Sequence, residues 1–314
     1  MRLTVLGGSA ASPNRGAGCS GYLVRSGVAT LLVDPGHGTL PELRRHADFR
    51  SLSAVFVNHL HLDHVLDLLA LRHALAYNPV PAPGPVPVWL PPGGAAWLAE
   101  AVAPFDACDE PGPFASTVAV GEYDPEGLLT TDGLAVRFAP AVHWLPTWAM
   151  RIEDAATGAA LGYTADTGPS ADLRLLAGVD LLLAETTLPD DDPTPPERRR
   201  SLTAEDAGRL ATRLGAGSAG AHPPLGGAWL RRGAGRCPPR LPRTDRPRPA
   251  RALPPGRPRV RPRMSEAARN VDRQPAVLAH RLSAPSSPVA ISATGSATSG
   301  SPPSLIVHAA DSPA

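Results

Sequence analysis

Lysine is absent from this sequence of 314 residues, and cysteine occurs three times, at Cys19, Cys108 and Cys237. Such scattered cysteines exclude a disulfide framework and a four-cysteine zinc site. No apolar run reaches the roughly 20 residues that a membrane-spanning helix needs, so no membrane partner is expected. The first residues lack the basic and apolar regions of a signal peptide, and we therefore expect a cytoplasmic protein.

Acidic and basic residues are unevenly distributed along the chain. Residues 1–216 contain 15 arginines and 25 acidic residues, whereas residues 217–314 contain 15 arginines, four acidic residues and 17 prolines. Within the second segment, Arg231 to Arg263 has no hydrophobic period and cannot bury enough apolar surface to offset the entropy of ordering it. The sequence therefore predicts a folded domain over 1–216 and a disordered Arg/Pro-rich tail over 217–314.

Short β-rich runs alternate with helical patterns in residues 1–216. The predicted strands are Arg2–Leu6, Ala29–Val33, Ala54–Asn58, Val86–Leu90, Leu134–Ala139, Trp148–Glu153, Ala160–Thr164 and Val179–Glu185. The predicted helices are His64–Tyr77, Ala95–Val102 and Thr203–Leu214. In the last helix, Thr203 and Asp206 have the spacing of a capping box. This order indicates a sheet-rich domain of the α/β (α+β) class.

A cluster of potential metal ligands directly follows the third predicted strand. His59, His61, Asp63 and His64 fall within six consecutive positions. In an extended turn His59 and His61 project to the same side, while Asp63 and His64 reach a second point near the helix start. One loop can therefore serve two divalent ions, and imidazole with carboxylate suits zinc and also iron or manganese.

Two later residues lie where loop-borne ligands on a sheet are expected. His143 closes an apolar strand, and Asp166 ends another within the Tyr163–Gly168 segment. Taken alone, His143 is as well explained as a loop histidine and Asp166 as a turn residue. Together with the cluster, both are predicted metal ligands.

This ordered set resembles the metallo-β-lactamase-fold hydrolases, in particular the ribonuclease Z and cyclic-nucleotide phosphodiesterase branch. The resemblance covers roughly residues 1–216 and implies a four-layer αββα sandwich with the site at one edge. It implies a first metal held by His59, His61 and His143, and a second held by Asp63 and His64. Asp166 would bridge the two ions.

Further residues are candidates for supporting roles. Asp34 is expected to orient a ligand histidine, because metal-bound imidazoles usually donate their other N–H to a carboxylate or carbonyl. Ser201 occupies the position where the ribonuclease Z branch has a histidine that assists the leaving group, and serine is a poor proton donor. Trp144 and Trp148 flank His143 and either stack on a nucleobase or pack the loop.

Two ions can activate a bridging hydroxide, which Asp63 would orient and deprotonate as the catalytic residue. A small phosphodiester such as a cyclic nucleotide is the expected substrate. Nucleic acid is not expected, because residues 1–216 have a net charge of −10. His143 and Asp166 are also only 23 positions apart, which leaves no room for the RNA-gripping arm of the ribonuclease Z family that the chain resembles. A lactam or thioester hydrolase and a non-catalytic metal-binding remnant are the alternatives, and the resemblance raises a homodimer as a further possibility.

The family pattern changes near residue 216. The family has a strand ending in Leu-Thr-His-Leu, and here His222 lies within Ala221 to Leu225 as a weaker candidate ligand. Removing one base from the codons of that segment permits Leu-Thr-His-Leu. We therefore hypothesise that residues 217–314 are translated out of frame, which would leave the sandwich incomplete at its C-terminal end. A basic arm that binds nucleic acid or an acidic partner is the rival interpretation.

Overall fold

The structure of the protein is a computed structural model, which describes residues 1–106, 117–221 and 290–292. The strands are β1 Arg2–Ser9, β2 Gly18–Cys19, β3 Gly21–Ser26, β4 Ala29–Val33, β5 Ala54–Phe56, β6 Val86–Leu90, β7 Val118–Glu122, β8 Leu129–Thr131, β9 Leu134–Pro140, β10 Trp148–Asp154, β11 Ala160–Tyr163, β12 Leu181–Ala184, β13 Ser218–Ala221 and β14 Ala290–Ser292. The helices are α1 Thr39–His46, α2 Leu62–Tyr77, α3 Gly94–Asp106 and α4 Ala204–Leu214.

The strands form two mixed sheets. The first has the order β14-β1-β3-β4-β5-β6-β7, with β2 paired to β1, and the second has the order β13-β12-β11-β10-β9-β8. β4, β5, β6 and β7 are parallel neighbours, whereas β9, β10 and β11 form an antiparallel meander. The carboxyl ends of β4 and β5 therefore point the same way, which brings the loops that follow them together.

Alternating side chains give both sheets two apolar faces. In β4, Leu31 and Val33 pack into a cluster shared by the two sheets, whereas Leu32 faces a cluster shared with α1, α2 and α3. The outer face of the second sheet packs on α4 through Leu210 and Leu214. Two sheets between two helical layers confirm the predicted αββα sandwich and its α/β class.

Most predicted elements lie within a few residues of their predicted positions. The capping box at the start of α4 is present, with the Asp206 amide donating to Thr203 Oγ1 over 3.1 Å. α2 begins at Leu62, two residues before the predicted start. The sequence did not predict the helix α1 or the strands β2, β3, β7, β8, β13 and β14.

The C-terminal segment is described in two short parts. β13 pairs in parallel with β12, and β14 pairs antiparallel with β1. His222 and the remainder of the predicted tail lie outside the described residues. Among the described helices, none combines the length and hydropathy that a bilayer crossing requires.

Candidate metal centre

Three imidazole rings converge at the edge of the two sheets. His59 and His61 lie in the loop between β5 and α2, and His143 lies in the loop between β9 and β10. His61 Nδ1 is 3.0 Å from His59 Nε2 and 3.1 Å from His143 Nε2. The three rings therefore direct one nitrogen each toward a common point.

This arrangement fits a divalent cation better than it fits hydrogen bonding. His61 Nδ1 carries either one proton or one lone pair, so a hydrogen bond satisfies one of its two close contacts. A cation between the three nitrogens satisfies all of them. Tetrahedral zinc with bonds of about 2.0–2.1 Å separates its nitrogens by about 3.3 Å, close to the spacing of these rings.

Asp166 connects this first group to a second one. Its Oδ2 lies 3.9 Å from His59 Nε2 and 3.6 Å from His143 Nε2, whereas its Oδ1 lies 3.3 Å from His64 Nε2. Asp63 Oδ2 lies 3.6 Å from the same nitrogen of His64. The two carboxylate oxygens of Asp166 thus face different sets of donors.

Two donor groups able to hold a metal ion follow from these distances. In each group the donor atoms lie within 4.8 Å of one another. We call them the first group, which is His59, His61, His143 and Asp166, and the second group, which is Asp63, His64 and Asp166. The structure therefore brings together all six residues that the sequence analysis proposed as main ligands, and the donor chemistry fits two ions.

His64 is held in place by a buried carboxylate on β4's carboxyl side. Its Nδ1 donates to Asp34 Oδ2 over 2.9 Å, and Tyr163 donates its hydroxyl to the same oxygen over 2.9 Å. The Asn58 backbone N–H donates to Asp34 Oδ1 over 2.8 Å. Asp34 itself has a positive φ of 51°, which turns the chain sharply after β4. The hydrogen bond from His64 to Asp34 is the kind expected for a carboxylate that orients a metal-binding imidazole.

The loop that carries His143 is supported from the second sheet. His143 Nδ1 donates to the Arg200 carbonyl over 2.6 Å. The Val142 amide donates to Thr167 Oγ1 over 3.1 Å, and the Gly168 amide donates to the Val142 carbonyl over 2.7 Å. The ring orientation of His143 is therefore fixed with Nε2 toward His61.

His59 differs from His64 and His143, since its Nδ1 is buried without a hydrogen-bond partner in the described part of the chain.

Burial and neighbouring charge shift the protonation of the rings in opposite directions. Burial lowers the pKa of His59 well below its ordinary value, and burial with the nearby His143 lowers the pKa of His61. Burial also acts to lower the pKa of His64, but the carboxylates of Asp166 and Asp34 outweigh it and raise that pKa well above its ordinary value. Neutral imidazoles are the form that binds divalent metals, so the lowered pKa values of His59 and His61 favour metal binding at these two rings.

The first turn of α2, which carries Asp63, is packed tightly against the chain around Gly36. The Ala11 amide donates to Asp63 Oδ2 over 2.8 Å, which fixes that carboxylate. A Cβ atom at Gly36 would lie 1.9 Å from the Asp63 carbonyl oxygen and 2.6 Å from the Ser20 carbonyl oxygen. Only glycine allows this close approach.

The remaining candidates are placed less directly at the site. Ser201 is buried and follows Arg200, whose carbonyl supports His143. Trp148 is half-buried and packs edge-on against Tyr123, with ring centroids 6.0 Å apart. Trp148 is therefore a packing residue, whereas Trp144 is exposed.

Sequence reasoning missed one buried acidic residue beside the site. Glu185 accepts a hydrogen bond from the Thr167 amide over 2.7 Å, and burial together with Asp166 raises its pKa well above the ordinary value. Glu185 is the last residue of the predicted strand Val179–Glu185, and Asp166 comes two residues after the predicted strand Ala160–Thr164. The same sequence signal that pointed to Asp166, an acidic residue at the end of a strand, could therefore have pointed to Glu185.

Comparisons with known proteins agree with this architecture. Residues 29–221 match the family model described as the Beta-lactamase superfamily domain. An uncharacterised protein from Mycobacterium tuberculosis is 33% identical over 68% of this chain and 77% of its own length. A ribonuclease Z from Mycobacterium bovis is 30% identical over 69% of this chain and 84% of its own length.

Solved structures show the same fold. The metallo-β-lactamase fold protein YhfI from Bacillus subtilis is 25% identical, with a TM-score of 0.61 over 72% of this chain and 87% of its own. The short form of human tRNase Z is 19% identical, with a TM-score of 0.60 over 72% of this chain and 93% of its own. The match to the family model, the two sheets and the paired donor groups lead to one conclusion: the chain belongs to the β-lactamase superfamily and is a metallo-β-lactamase-fold hydrolase.

Proposed function

We propose that the protein hydrolyses a small phosphodiester, such as a cyclic nucleotide, with two divalent metal ions, zinc first among them. The observation that carries this proposal is the position of Asp166, whose Oδ2 faces the first group and whose Oδ1 faces His64. Two ions, when bound, would lower the pKa of a water molecule and neutralise charge developing on a phosphoryl or acyl oxygen.

The protein's own residues provide the remaining requirements. Asp63 is the residue proposed to orient the attacking water and accept its proton, because the Ala11 amide already fixes Oδ2 of its carboxylate. Asp34 and the Arg200 carbonyl hold the rings of His64 and His143 in the required orientations. Ser201 offers a hydroxyl that can hydrogen-bond a leaving oxygen but is a poor proton donor.

The size of the substrate is inferred from the segment between His143 and Asp166. This segment consists of a short loop, β10, a turn and β11, so it contains no arm for gripping an RNA. The net charge of −10 over residues 1–216 also disfavours a polyanion. One relative is a ribonuclease, an enzyme that cleaves phosphodiester bonds. We therefore propose that this protein also cleaves a phosphodiester bond, but in a small molecule.

A panel of chromogenic substrates tests the reaction class. We expect the zinc-loaded protein to hydrolyse bis(p-nitrophenyl) phosphate and a cyclic nucleotide, and to leave a chromogenic cephalosporin and an aryl thioester unchanged. His61→Ala should abolish turnover. His73→Ala is a matched control, because His73 lies further along α2 and its ring contacts that of Tyr77 in a tilted arrangement, at a centroid distance of 4.6 Å. Turnover of the lactam or the thioester alone would reassign the protein to acyl transfer.

A second candidate function is a metal-binding remnant with little or no activity. The second group offers three donors in the described part of the chain against four in the first, and the family match ends at Ala221, directly before His222. The end of the family match at this point supports the proposal that residues 217–314 are read out of frame. The last ligand of the second ion would then be missing. Sequencing of the coding region tests the frame directly, since an intact frame across codons 214–226 would remove that proposal.

Location and assembly are proposed as cytoplasmic and homodimeric. Fractionation of cells and sedimentation of the purified chain test these two points.

A further inference from the structure

One aromatic side chain beside the centre is left in solvent. Trp144 directly follows His143 and is 75% exposed, whereas Trp148 at the other end of the same loop packs into the core. Single exposed apolar residues are common on protein surfaces. An indole next to a proposed metal ligand is different, because its position is set by the same loop that sets the ligand.

The loop that carries Trp144 is held firmly at its base. The Ala141 amide donates to the Thr147 carbonyl over 2.9 Å and closes the loop, while Thr147 Oγ1 donates to the Leu145 carbonyl over 2.9 Å. His143 Nδ1 donates to the Arg200 carbonyl over 2.6 Å. The indole therefore stands on an anchored loop, so little ordering is required before it can make a contact.

Two more exposed apolar residues lie close in sequence to ligands of the first group. Leu145 is 37% exposed and lies two residues after His143, and Leu62 is 62% exposed and directly follows His61. His61 and His143 themselves approach within 3.1 Å through their ring nitrogens. We call Leu62, Trp144 and Leu145 the apolar rim.

We propose that Trp144 is a specificity-determining residue that stacks on the aromatic base of the nucleotide substrate. The inference rests on the proposed phosphodiesterase function. It adds that the phosphodiester carries an aromatic base and that this base contacts Trp144. A planar indole offers a stacking surface that is tolerant of base identity. Leu62 and Leu145 would cover the remaining apolar surface of the base or sugar.

The test compares two ligands that differ only in the base. Binding of adenosine 5′-monophosphate and of ribose 5-phosphate to the zinc-loaded protein is measured by calorimetry for the wild type, Trp144→Ala and Trp144→Phe. Trp144→Ala should lower the affinity for the nucleotide by about 5- to 100-fold and leave the affinity for ribose 5-phosphate unchanged. Trp144→Phe should restore most of the loss, because it restores an aromatic face.

A control variant and a kinetic readout complete the experiment. Phe105→Ala removes an aromatic side chain that is 59% exposed on α3, and should change neither affinity. With cyclic AMP, Trp144→Ala should raise KM by a similar factor with little change in kcat. Metal content and circular dichroism should match the wild type.

Three results would overturn the inference. The first is equal binding of the nucleotide to the wild type and Trp144→Ala, and the second is no binding of the nucleotide to either protein. The third is an equal loss of affinity for both ligands, which would mean that the substitution disturbs the site itself. If the wild type binds the nucleotide through Trp144 but hydrolyses no phosphodiester, the proposed reaction fails and the stacking role remains.

Discussion

Replacing Asp34 with asparagine should separate the second metal site from the first. Asp34 is fully buried and accepts three hydrogen bonds, from the Asn58 amide, the His64 ring and the Tyr163 hydroxyl, at 2.8, 2.9 and 2.9 Å. In Asp34→Asn the amide NH₂ would face two of these donors in place of Oδ2. The His64 ring would then lose the carboxylate that fixes its tautomer and directs Nε2 at Asp166.

The expected size of the effect follows from those contacts. Hydrogen bonds to a charged group are each worth about 1.5–3 kcal/mol, and the Tyr163 hydroxyl can turn to accept. We therefore expect the free energy of unfolding to fall by about 2–4 kcal/mol, which leaves a folded protein. Loss of such a supporting contact typically lowers metal affinity 10–100-fold, so the second ion should weaken by about that factor.

Competition with a chromophoric zinc chelator measures both affinities in one titration. The zinc affinity of the first group, which we expect to be the tighter site, should be unchanged in Asp34→Asn. The reason is that His59, His61 and His143 make no hydrogen bond to Asp34 in the described structure. Asp154→Asn is a matched control, since Asp154 is a buried aspartate that accepts from Ala156 at the end of β10. Unchanged affinity at both sites, or equal loss at both, would refute the reasoning.

Three further substitutions test the packing around the site and the core. Gly36→Ala should abolish binding of the second ion, because its Cβ would lie 1.9 Å from the Asp63 carbonyl oxygen, whereas Gly84→Ala meets no atom within 4 Å and should titrate like the wild type. Leu71→Ala in the core should lower the free energy of unfolding by about 2–5 kcal/mol in urea denaturation, and a loss below 1 kcal/mol would contradict its full burial. Thr203→Ala should cost about 1 kcal/mol in the same assay, since it removes the α4 cap.

Sequence patterns predicted elements whose apolar residues follow a regular period. β9 and β10 alternate between the core shared by the sheets and the opposite face, so their period of two is visible in the chain. α1 was missed because its eight residues contain a proline and few apolar positions. Proline is tolerated in the first turn of a helix, and the packing of Leu43 then stabilises α1.

The candidate site was predictable where its residues are close in sequence. His59, His61, Asp63 and His64 fall within six consecutive positions, so their spacing alone indicates two sets of donors. The supporting backbone groups could not be predicted, since every residue has a carbonyl and an amide. Tertiary packing alone decides that the Arg200 carbonyl faces His143 and the Ala11 amide faces Asp63.

Metal stoichiometry of the purified full-length chain is the most direct test of the central claim. Elemental analysis should find two divalent ions per chain, and loss of the first group's ligand in His61→Ala should remove at least one of them together with hydrolysis of bis(p-nitrophenyl) phosphate. Two ions in the wild type would mean that the described donors, with or without His222, complete both sites. One ion or none in the wild type, with no hydrolysis, would contradict the claim and identify the chain as a metal-binding remnant.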